Sequence, residues 1–307
     1  MSAARFDIDR AGSTPPGPAP FPRRVVLIFV DGLGVGSGGP EDATASYGGD
    51  LLHFARSPGA KRAVDAALGV PGIPQSATGQ TSLFTGRNAQ AALGHHATGF
   101  PGPTLRAILK EHSVLRTLNE RGRDAMFLNA FRPPFWELTE EQQWRLSAST
   151  VAHLPCGRPF CDLDDLRAGR AVYQDLTSAD LRARGFDVPL REPAEAGEIL
   201  GRASAARDFT LFEYFQTDKA GHTQDPDLCR ARLRDLEAFV TAHLAAAAPD
   251  TLTLLTSDHG NIEDLSTRSH TVNPVPLLAW GPGAETAVAR IGAIDQVVPH
   301  VLDVLTI

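Results

Sequence analysis

The segment that most restricts the fold is the run from Arg24 to Val30, which reads Arg-Val-Val-Leu-Ile-Phe-Val. A strand with one solvated face alternates polar and apolar residues, whereas this run is apolar at every position after the arginine. It therefore predicts a strand that is buried on both faces, as in a parallel sheet covered by helices. Similar short runs occur at residues 125–128, 209–215, 252–255 and 275–280.

Helical patterns separate several of these predicted strands. Apolar residues recur every three or four positions in residues 105–121, 227–248 and 294–305. Alternating strands and helices predict an α/β fold with a doubly wound, mainly parallel sheet between helices. Ligands of such sheets bind beyond the carboxyl ends of the strands, so polar residues at those ends are the first candidates for a site.

The domain organisation follows from length and composition. A chain of 307 residues has room for one large domain, or for a core with a smaller inserted domain. Residues 1–22 are rich in proline, glycine and serine, which predicts a disordered leader. Residues 90–205 are rich in proline and arginine and predict a smaller inserted cap. Residues 23–89 and 206–307 then form the α/β core.

The overall charge and hydropathy exclude some classes of partner. A net charge of −7 argues against a nucleic-acid-binding surface. No apolar run approaches the ~18 residues of a membrane helix, and the first residues contain no apolar segment typical of a secretory signal. We therefore expect a cytoplasmic protein with a small-molecule substrate and no membrane or nucleic-acid partner. The oligomeric state stays open.

Potential metal ligands follow the predicted strand at residues 252–255. Asp258 and His259 come directly after it, and His270 follows eleven residues later. An unpaired carboxylate at the end of a buried strand is costly, and a cation is the usual compensation. Aspartate and histidine together are typical ligands of a borderline divalent metal.

Two other strand ends carry the same residue types. Asp31 follows the first strand and precedes Gly32, and Asp218 and His222 follow the strand at residues 209–215. A spacing of four places Asp218 and His222 on one side of a helical turn. Each aspartate alone is also explained as a helix or turn cap, with His222 as an unrelated surface residue. Together the strand ends supply three aspartates and three histidines, enough for two metals with open coordination positions.

The segment Ser76-Ala77-Thr78-Gly79-Gln80 supplies hydroxyl groups before a short apolar helix pattern. Ser76 or Thr78 then lies at a helix N-terminus, where free amides and the helix dipole favour an anion. Gly79 allows the backbone to approach a bound oxyanion closely. Simple capping of the helix by a hydroxyl residue explains the same pattern equally well.

Five strings occur together and in a fixed order across residues 25–280. They are the first strand with Asp31-Gly32, Ser76-x-x-Gly79, Asp218-x-x-x-His222, Asp258-His259-Gly260-Asn261, and His270-Thr271-x-Asn273-Pro274-Val275-Pro276. This set resembles the alkaline phosphatase superfamily of binuclear metalloenzymes. It is most similar to the branch with cofactor-independent phosphoglycerate mutase and phosphopentomutase.

The resemblance implies an alkaline-phosphatase-like core with two divalent metal ions, manganese or zinc. One metal is assigned to Asp31, Ser76, Asp258 and His259, and the other to Asp218, His222 and His270. Ser76 matches the family's nucleophile, with Thr78 as the second choice. The substrate-binding arginines of the phosphoglycerate mutases have no match in residues 90–205.

Charge balance predicts further cations near the site. Two divalent metals roughly balance three carboxylates and an ionised Ser76, so a phosphate monoester needs additional positive charge. Lys219 is the best-placed candidate for catalysis, although a solvated surface lysine is nearly as good an explanation. We assign Arg132, Gly79 and Gln80 to substrate binding.

These features predict a phosphomonoester hydrolase or phosphotransferase that works through a phosphoserine intermediate. The alternative within the class is a phosphomutase of the phosphoglycerate or phosphopentose type, which needs a closing cap to exclude water. The alternatives from other classes are a catalytically inactive metal-binding protein and a dinucleotide-dependent oxidoreductase. The last would use Gly34-x-Gly36-x-x-Gly39, but Pro40-Glu41-Asp42 follows where an apolar helix should begin.

Overall fold

The computed structural model describes residues 21–306. The predicted leader, residues 1–22, lies outside this range except for its last two residues. The centre of the structure is a six-stranded sheet in the order β2-β6-β5-β1-β4-β3. The strands are β1 (Arg24–Val30), β2 (Ala60–Val64), β3 (Ala125–Phe127), β4 (Phe209–Tyr214), β5 (Thr251–Thr256) and β6 (Val275–Trp280).

Helices cover both faces of the sheet. Those before β4 are α1 (Ala43–Ser46), α2 (Ser76–Thr85), α3 (Ala89–Leu93), α4 (Pro103–His112), α5 (Val114–Glu120), α6 (Glu140–Gln143), α7 (Ala148–His153), α8 (Leu163–Arg167), α9 (Ala179–Ala183) and α10 (Pro193–Ser204). Those after it are α11 (Gln216–Thr223), α12 (Pro226–Ala246), α13 (Ala284–Arg290) and α14 (Val297–Thr306). No helix in the described part of the chain is long and apolar enough to cross a membrane.

The central strand β1 shows why the sheet is buried on both faces. Val26, Ile28 and Val30 pack into one hydrophobic cluster, together with α10 and α12. Val25, Leu27 and Phe29 pack into the other, together with α2, α5 and α14. Because successive side chains of a strand point to opposite faces, an uninterrupted apolar run serves both clusters. The predicted doubly wound α/β fold is confirmed.

The sheet is parallel at its centre and antiparallel at one edge. β1 pairs in parallel with β4 and β5, and β3 pairs in parallel with β4. β6 runs antiparallel to both β5 and β2. β2 was not predicted, because Lys61 and Arg62 interrupt its apolar pattern. It needs no such pattern, since it is an edge strand in which Arg62 and Ala63 are exposed.

One predicted helix is two helices. The pattern in residues 105–121 suggested a continuous element, but α4 ends and α5 begins at Ser113. The Ser113 hydroxyl donates to the carbonyl oxygen of Ala152 at 2.6 Å and accepts from the amide of Arg116 at 3.5 Å. Serine hydroxyls compete with helical backbone bonds in this way, so apolar spacing alone did not reveal the break.

The division into a core and an inserted cap of residues 90–205 stays a prediction. Part of this range packs directly with the sheet. β3 forms one edge of the sheet, and Leu109, Leu115 and Val151 join the cluster that contains the odd-numbered residues of β1. Any cap is therefore smaller than the predicted range.

Candidate metal centre

The first group of candidate ligands lies at the carboxyl ends of β1 and β5. Asp31 follows β1, and Asp258 and His259 follow β5, so the parallel pairing of these strands brings the three side chains together. The Nε2 atom of His259 lies 3.3 Å from Oδ1 of Asp31 and 3.5 Å from Oδ2 of Asp258. The side chains of Asp258 and His259 are fully buried. We call these three residues the buried group.

The second group lies beside it, on α11 and the loop before β6. Asp218 and His222 are four residues apart on α11, and His222 Nε2 lies 3.3 Å from Oδ2 of Asp218. His270 Nε2 lies 3.4 Å from Oδ1 of Asp218 and 3.2 Å from Nε2 of His222. The side chain of His222 is 44% exposed. We call these three residues the open group.

The two groups touch each other. The imidazole rings of His259 and His270 stack with centroids 3.7 Å apart. Gly32 has φ +70°, and a β-carbon there would lie 2.8 Å from the side chain of Asp218. Only glycine tolerates both this left-handed conformation and this close contact, so Gly32 allows α11 to approach the end of β1. The six predicted ligand residues thus lie at one place.

The histidines are oriented as metal ligands are. Nδ1 of His222 lies 2.7 Å from the carbonyl oxygen of Arg268, and Nδ1 of His270 lies 3.3 Å from that of Pro74. Nδ1 of His259 lies 3.4 Å from the carbonyl oxygen of Gly260. A carbonyl accepts only, so each Nδ1 carries a proton, and Nε2 is the ring nitrogen that faces the carboxylates and could bind a metal. Such backbone contacts commonly fix ligating histidines.

The charges of the buried group also fit a cation. Burial and the neighbouring Asp258 raise the pKa of Asp31 well above its usual range, and burial raises that of Asp258. Burial opposes protonation of His259, but Asp258 and Asp31 outweigh it and raise its pKa to about 10. Oδ1 of Asp31 is buried without a hydrogen-bond donor. A divalent ion would stabilise this environment, because it would compensate two adjacent buried carboxylates and the Asp31 oxygen that has no donor.

The open group holds its carboxylate ionised. Burial alone would raise the pKa of Asp218, but contacts with His270, His259, Asn261 and His222 lower it to about 2. The side-chain amide of Asn261 donates to Oδ1 of Asp218 at 2.7 Å. Asp218 is therefore an anion with a fixed orientation at neutral pH.

The hydroxyl of Ser76 faces the buried group. Ser76 is the first residue of α2, and its Oγ lies 2.9 Å from Nε2 of His259. The hydroxyl of Thr78 is fully buried, and it donates to the carbonyl of Gln75 and accepts from the amide of Ala97, each at 3.2 Å. The geometry thus favours Ser76 over Thr78 as the proposed nucleophile.

Gly79 and Gln80 support the buried group from α2. A β-carbon on Gly79 would lie 2.7 Å from the carbonyl oxygen of Asp258, so the helix packs closely against this loop. The amide of Gln80 donates to Oδ2 of Asp31 and of Asp258, at 3.1 Å each. Both residues contact the candidate ligands, and their assignment to substrate binding stays a prediction.

Lys219 and Arg132 lie in a cavity beside the two groups. Nζ of Lys219 lies 4.4 Å from the centre of the Phe215 ring. Arg132 follows β3 and lines the same cavity as Lys219. Neither Asp218 nor another candidate ligand lines it. The predicted roles of these two cations stay predictions.

Glu263 is a residue that the sequence analysis missed. Its Oε2 accepts from the amides of Gly34 at 2.8 Å and Asn261 at 2.7 Å. Its Oε1 accepts from the hydroxyl of Thr271 and the amide group of Asn273. This buried carboxylate therefore ties the Asp258–Asn261 loop to the loop of His270. Its only signal in the sequence was its position two residues after the Asp-His-Gly-Asn string.

The glycine-rich string after β1 has a different use from dinucleotide binding. A β-carbon on Gly34 would lie 2.1 Å from Oε1 of Glu263, and one on Gly36 would lie 2.0 Å from Oδ2 of Asp42. The following helix, α1, has only four residues. These glycines make room for two carboxylates, which would repel a pyrophosphate.

Comparisons with known proteins agree with this site. Residues 194–307, which carry five of the six candidate ligands, match the model of the Metalloenzyme superfamily. The chain is 38% identical over 160 residues to a 2,3-bisphosphoglycerate-independent phosphoglycerate mutase of Halobacterium salinarum, covering 46% of this chain and 31% of that protein. It is 41% identical over 141 residues to a phosphopentomutase of Methylobacterium radiotolerans, covering 43% of this chain and 34% of that protein. The alignments thus span about a third of each relative.

The fold is similar to that of solved structures. An alkaline phosphatase from the Antarctic bacterium TAB5 superposes with a TM-score of 0.53 at 14% identity, covering 94% of this chain and 99% of that one. At this identity the likeness concerns the fold alone. With the match of residues 194–307 to the Metalloenzyme superfamily model, it confirms the resemblance drawn from the motifs: the chain is similar in sequence to phosphomutases and in fold to alkaline phosphatase.

Proposed function

We propose that this protein is a binuclear-metal phosphoryl-transfer enzyme that hydrolyses phosphomonoesters through a phosphoserine at Ser76. The observation that carries the proposal is the 2.9 Å contact between Ser76 Oγ and Nε2 of His259, inside the buried group. A hydroxyl at the first position of α2 also lies where free amides and the helix dipole favour an anion. Divalent metals, manganese or zinc, fit the mixed aspartate and histidine ligands.

The two groups would hold one metal each, with Ser76 as an additional ligand of the first. A bound divalent metal supplies positive charge that lowers the pKa of a serine hydroxyl and stabilises a transferring phosphoryl group. In the first step Ser76 Oγ forms a bond to phosphorus, and the bond from phosphorus to the ester oxygen breaks. The departing alcohol takes up a proton. In the second step water attacks phosphorus, releases inorganic phosphate and restores Ser76.

Release of p-nitrophenol from p-nitrophenyl phosphate tests this function. Metal-free protein is titrated with Mn²⁺ and with Zn²⁺, and the expected result is activity that depends on metal. Ser76→Ala should lose at least about 1000-fold, since removal of the nucleophile leaves only electrostatic stabilisation. Ser46→Ala is the matched control, because Ser46 is an exposed serine of α1. Metal binding without turnover of any phosphomonoester would instead indicate an inactive metal-binding protein.

A phosphomutase is the second candidate, because the relatives found by sequence are named as mutases. In a mutase, the phosphoserine would return its phosphoryl group to another hydroxyl of the same substrate. Phosphorus NMR separates the two reactions, with ribose 1-phosphate and 3-phosphoglycerate as substrates. Appearance of an isomeric phosphate ester without inorganic phosphate would favour the mutase, and inorganic phosphate alone would favour the hydrolase.

A further inference from the structure

A cavity of about 410 Å³ lies beside the open group. Phe215, Gln216 and Lys219 line one side of it, at the start of α11, and Arg132 approaches from the end of β3. Seven residues between Tyr173 and Arg184, in and around α9, also line it. The cavity therefore opens at the same edge of the sheet as the candidate metal ligands.

Positive charge predominates in this cavity. Four cations line it, against two carboxylates: Arg132, Arg184, Lys219 and Arg232, against Asp175 and Asp180. Both carboxylates have partners already. Asp180 pairs with Arg184 at 3.0 Å, and Asp175 accepts from the amides of Ser178 and Asp180 at 2.7 and 2.8 Å. Arg232 pairs with Asp235 at 3.2 Å.

Arg132 and Lys219 remain without an anionic partner. Within residues 21–306, neither side chain makes an ion pair or donates a hydrogen bond, although every other cation of the cavity is paired. The Lys219 ammonium instead makes a cation–π contact with the Phe215 ring. Two unpaired cations that face one cavity are the arrangement that binds an oxyanion, by charge-assisted hydrogen bonds.

The position of Lys219 connects the cavity to the metal centre. Lys219 follows Asp218 on α11, so their α-carbons are about 3.8 Å apart and their side chains diverge by about 100°. We infer that Arg132 and Lys219 bind a second anionic group of the substrate, while its phosphoryl group lies at the metals. The substrates are then phosphomonoesters that carry a further carboxylate or phosphate. This substrate class rests on the proposed function.

Binding to the Ser76→Ala variant loaded with Mn²⁺ tests the inference without turnover. Isothermal titration compares two pairs that differ only in a carboxylate. The short pair is 2-phosphoglycolate and ethyl phosphate, and the long pair is 6-phosphogluconate and sorbitol 6-phosphate. At least one compound with a carboxylate should bind about 10- to 100-fold more tightly than its counterpart without one, the range for one charge-assisted hydrogen bond. Fructose 1,6-bisphosphate shows whether a phosphate replaces the carboxylate.

Variants test whether the preference for a carboxylate depends on the cavity residues. Arg132→Gln and Lys219→Gln, each in the same background, should remove most of the preference and change the affinity for the compound without a carboxylate by no more than about threefold. Arg145→Gln is the control, since Arg145 is an exposed arginine of the same region that does not line the cavity. Equal affinities within both pairs, or a preference that survives in both cavity variants, would overturn the inference.

The outcome also separates this inference from the proposed function. A preference that depends on Arg132 and Lys219, in a protein that turns over no phosphomonoester, supports the cavity and contradicts phosphoryl transfer. Turnover of p-nitrophenyl phosphate without any preference for the acidic compounds supports transfer and contradicts the cavity. Equal losses of affinity for compounds with and without a carboxylate in Lys219→Gln would place that ammonium at the transferred phosphoryl group, against the inference.

Discussion

The buried and open groups have the same kinds of side chain but different surroundings. In the buried group, the side chains of Asp258 and His259 are inaccessible to solvent, and the two carboxylates share one imidazole. In the open group, one carboxylate faces two imidazoles, and the side chain of His222 is 44% exposed. The first group has an excess of negative charge away from water, whereas the second has a well-compensated carboxylate near water.

This difference appears in the acid–base behaviour of the carboxylates. The pKa values of Asp31 and Asp258 are raised, first because both are buried. The pKa of Asp218 is lowered to about 2, because its contacts outweigh burial. A cation is therefore needed more in the buried group, and we expect that group to hold its metal more tightly.

The largest expected effect comes from neutralising one carboxylate of the buried group. Asp258→Asn should lower the proposed phosphatase activity by about 1000-fold. This is the upper end of the rate loss when one electrostatic contact to a transferring group is removed. The metal-free variant should nevertheless be more stable than the metal-free parent, by on the order of 1 kcal/mol, because the crowding of two buried carboxylates is relieved. Activity assays and urea unfolding without metal measure the two effects.

Asp218→Asn is the matched comparison in the open group. It should also lose activity, but it should not stabilise the metal-free protein, because the carboxylate it removes is well compensated. A stabilisation of equal size in both variants would break the distinction between the groups.

Glu263 is expected to act on the metals through the loops it holds. Glu263→Gln replaces a charged acceptor of four hydrogen bonds, so the loop of His270 loses its fixed position relative to Asn261. We expect the Mn²⁺ concentration for half-maximal activity to rise about 10- to 100-fold, the usual effect of losing a residue that orients ligands. The maximal rate at saturating Mn²⁺ should change much less.

Asp264→Asn is the control for Glu263→Gln. Asp264 is the next residue of the same loop, and its carboxylate caps only Ser266. A similar rise in the half-maximal Mn²⁺ concentration for both variants would mean that the loop, and not the Glu263 carboxylate, determines metal affinity.

Removal of the metals tests the same difference between the buried group and the open group. With excess chelator, metal should leave in two phases whose rates differ about tenfold. The buried group should release its ion more slowly, because release needs a local opening that costs about 1.4 kcal/mol more. Metal content measured over time should pass through a plateau at half of its initial value. His222→Asn should remove the fast phase and leave the slow one. Loss of the slow phase in that variant would reverse the assignment of the two phases.

The smallest expected effect distinguishes the influence of burial on a histidine pKa from the influence of neighbouring carboxylates. His243 is as buried as His259 but has no carboxylate nearby, and burial lowers its pKa from 6.5 to about 4. His259, with two carboxylates, has its pKa raised to about 10. The opposite shifts assign the behaviour of His259 to Asp31 and Asp258.

The lowered pKa of His243 has a measurable consequence for stability. The folded state favours the neutral ring, so its contribution is fully present above pH 6.5 and declines as the pH falls from 6.5 towards 4. Between pH 7.5 and 5.5 the loss should be about 1 kcal/mol. His243→Gln should reduce the pH dependence of the free energy of unfolding by that amount, as measured with urea. An unchanged dependence would contradict the shift.

The sequence predicted five of the six strands and the class of the sheet, but not the edge strand β2. Apolar runs predicted β1, β3, β4, β5 and β6, because strands buried on both faces need such runs. β2 escaped prediction, because an edge strand tolerates Lys61 and Arg62. The break at Ser113 also escaped, because it depends on a hydrogen bond to the distant residue Ala152.

The positions of the candidate ligands were predictable because parallel strands end at a common edge. The supporting residues were not, since their roles depend on contacts between distant segments. Glu263 accepts from Gly34, and Thr217 donates to the carbonyl of Asp31, across loops whose shapes the sequence does not reveal. The direction of Lys219, towards a cavity and Phe215, likewise depends on tertiary packing.

The central position of β1 has a consequence for biosynthesis. β1 lies between β4 and β5, and contacts such as that of Gly32 with Asp258 join residues 226 positions apart. A ribosome must therefore have released the chain through His259 before the buried group is whole, and through His270 before the open group is. Until then Asp31, at the end of β1, is without the other two members of its group. Metal binding by the buried group is accordingly coupled to the pairing of β1 with β5.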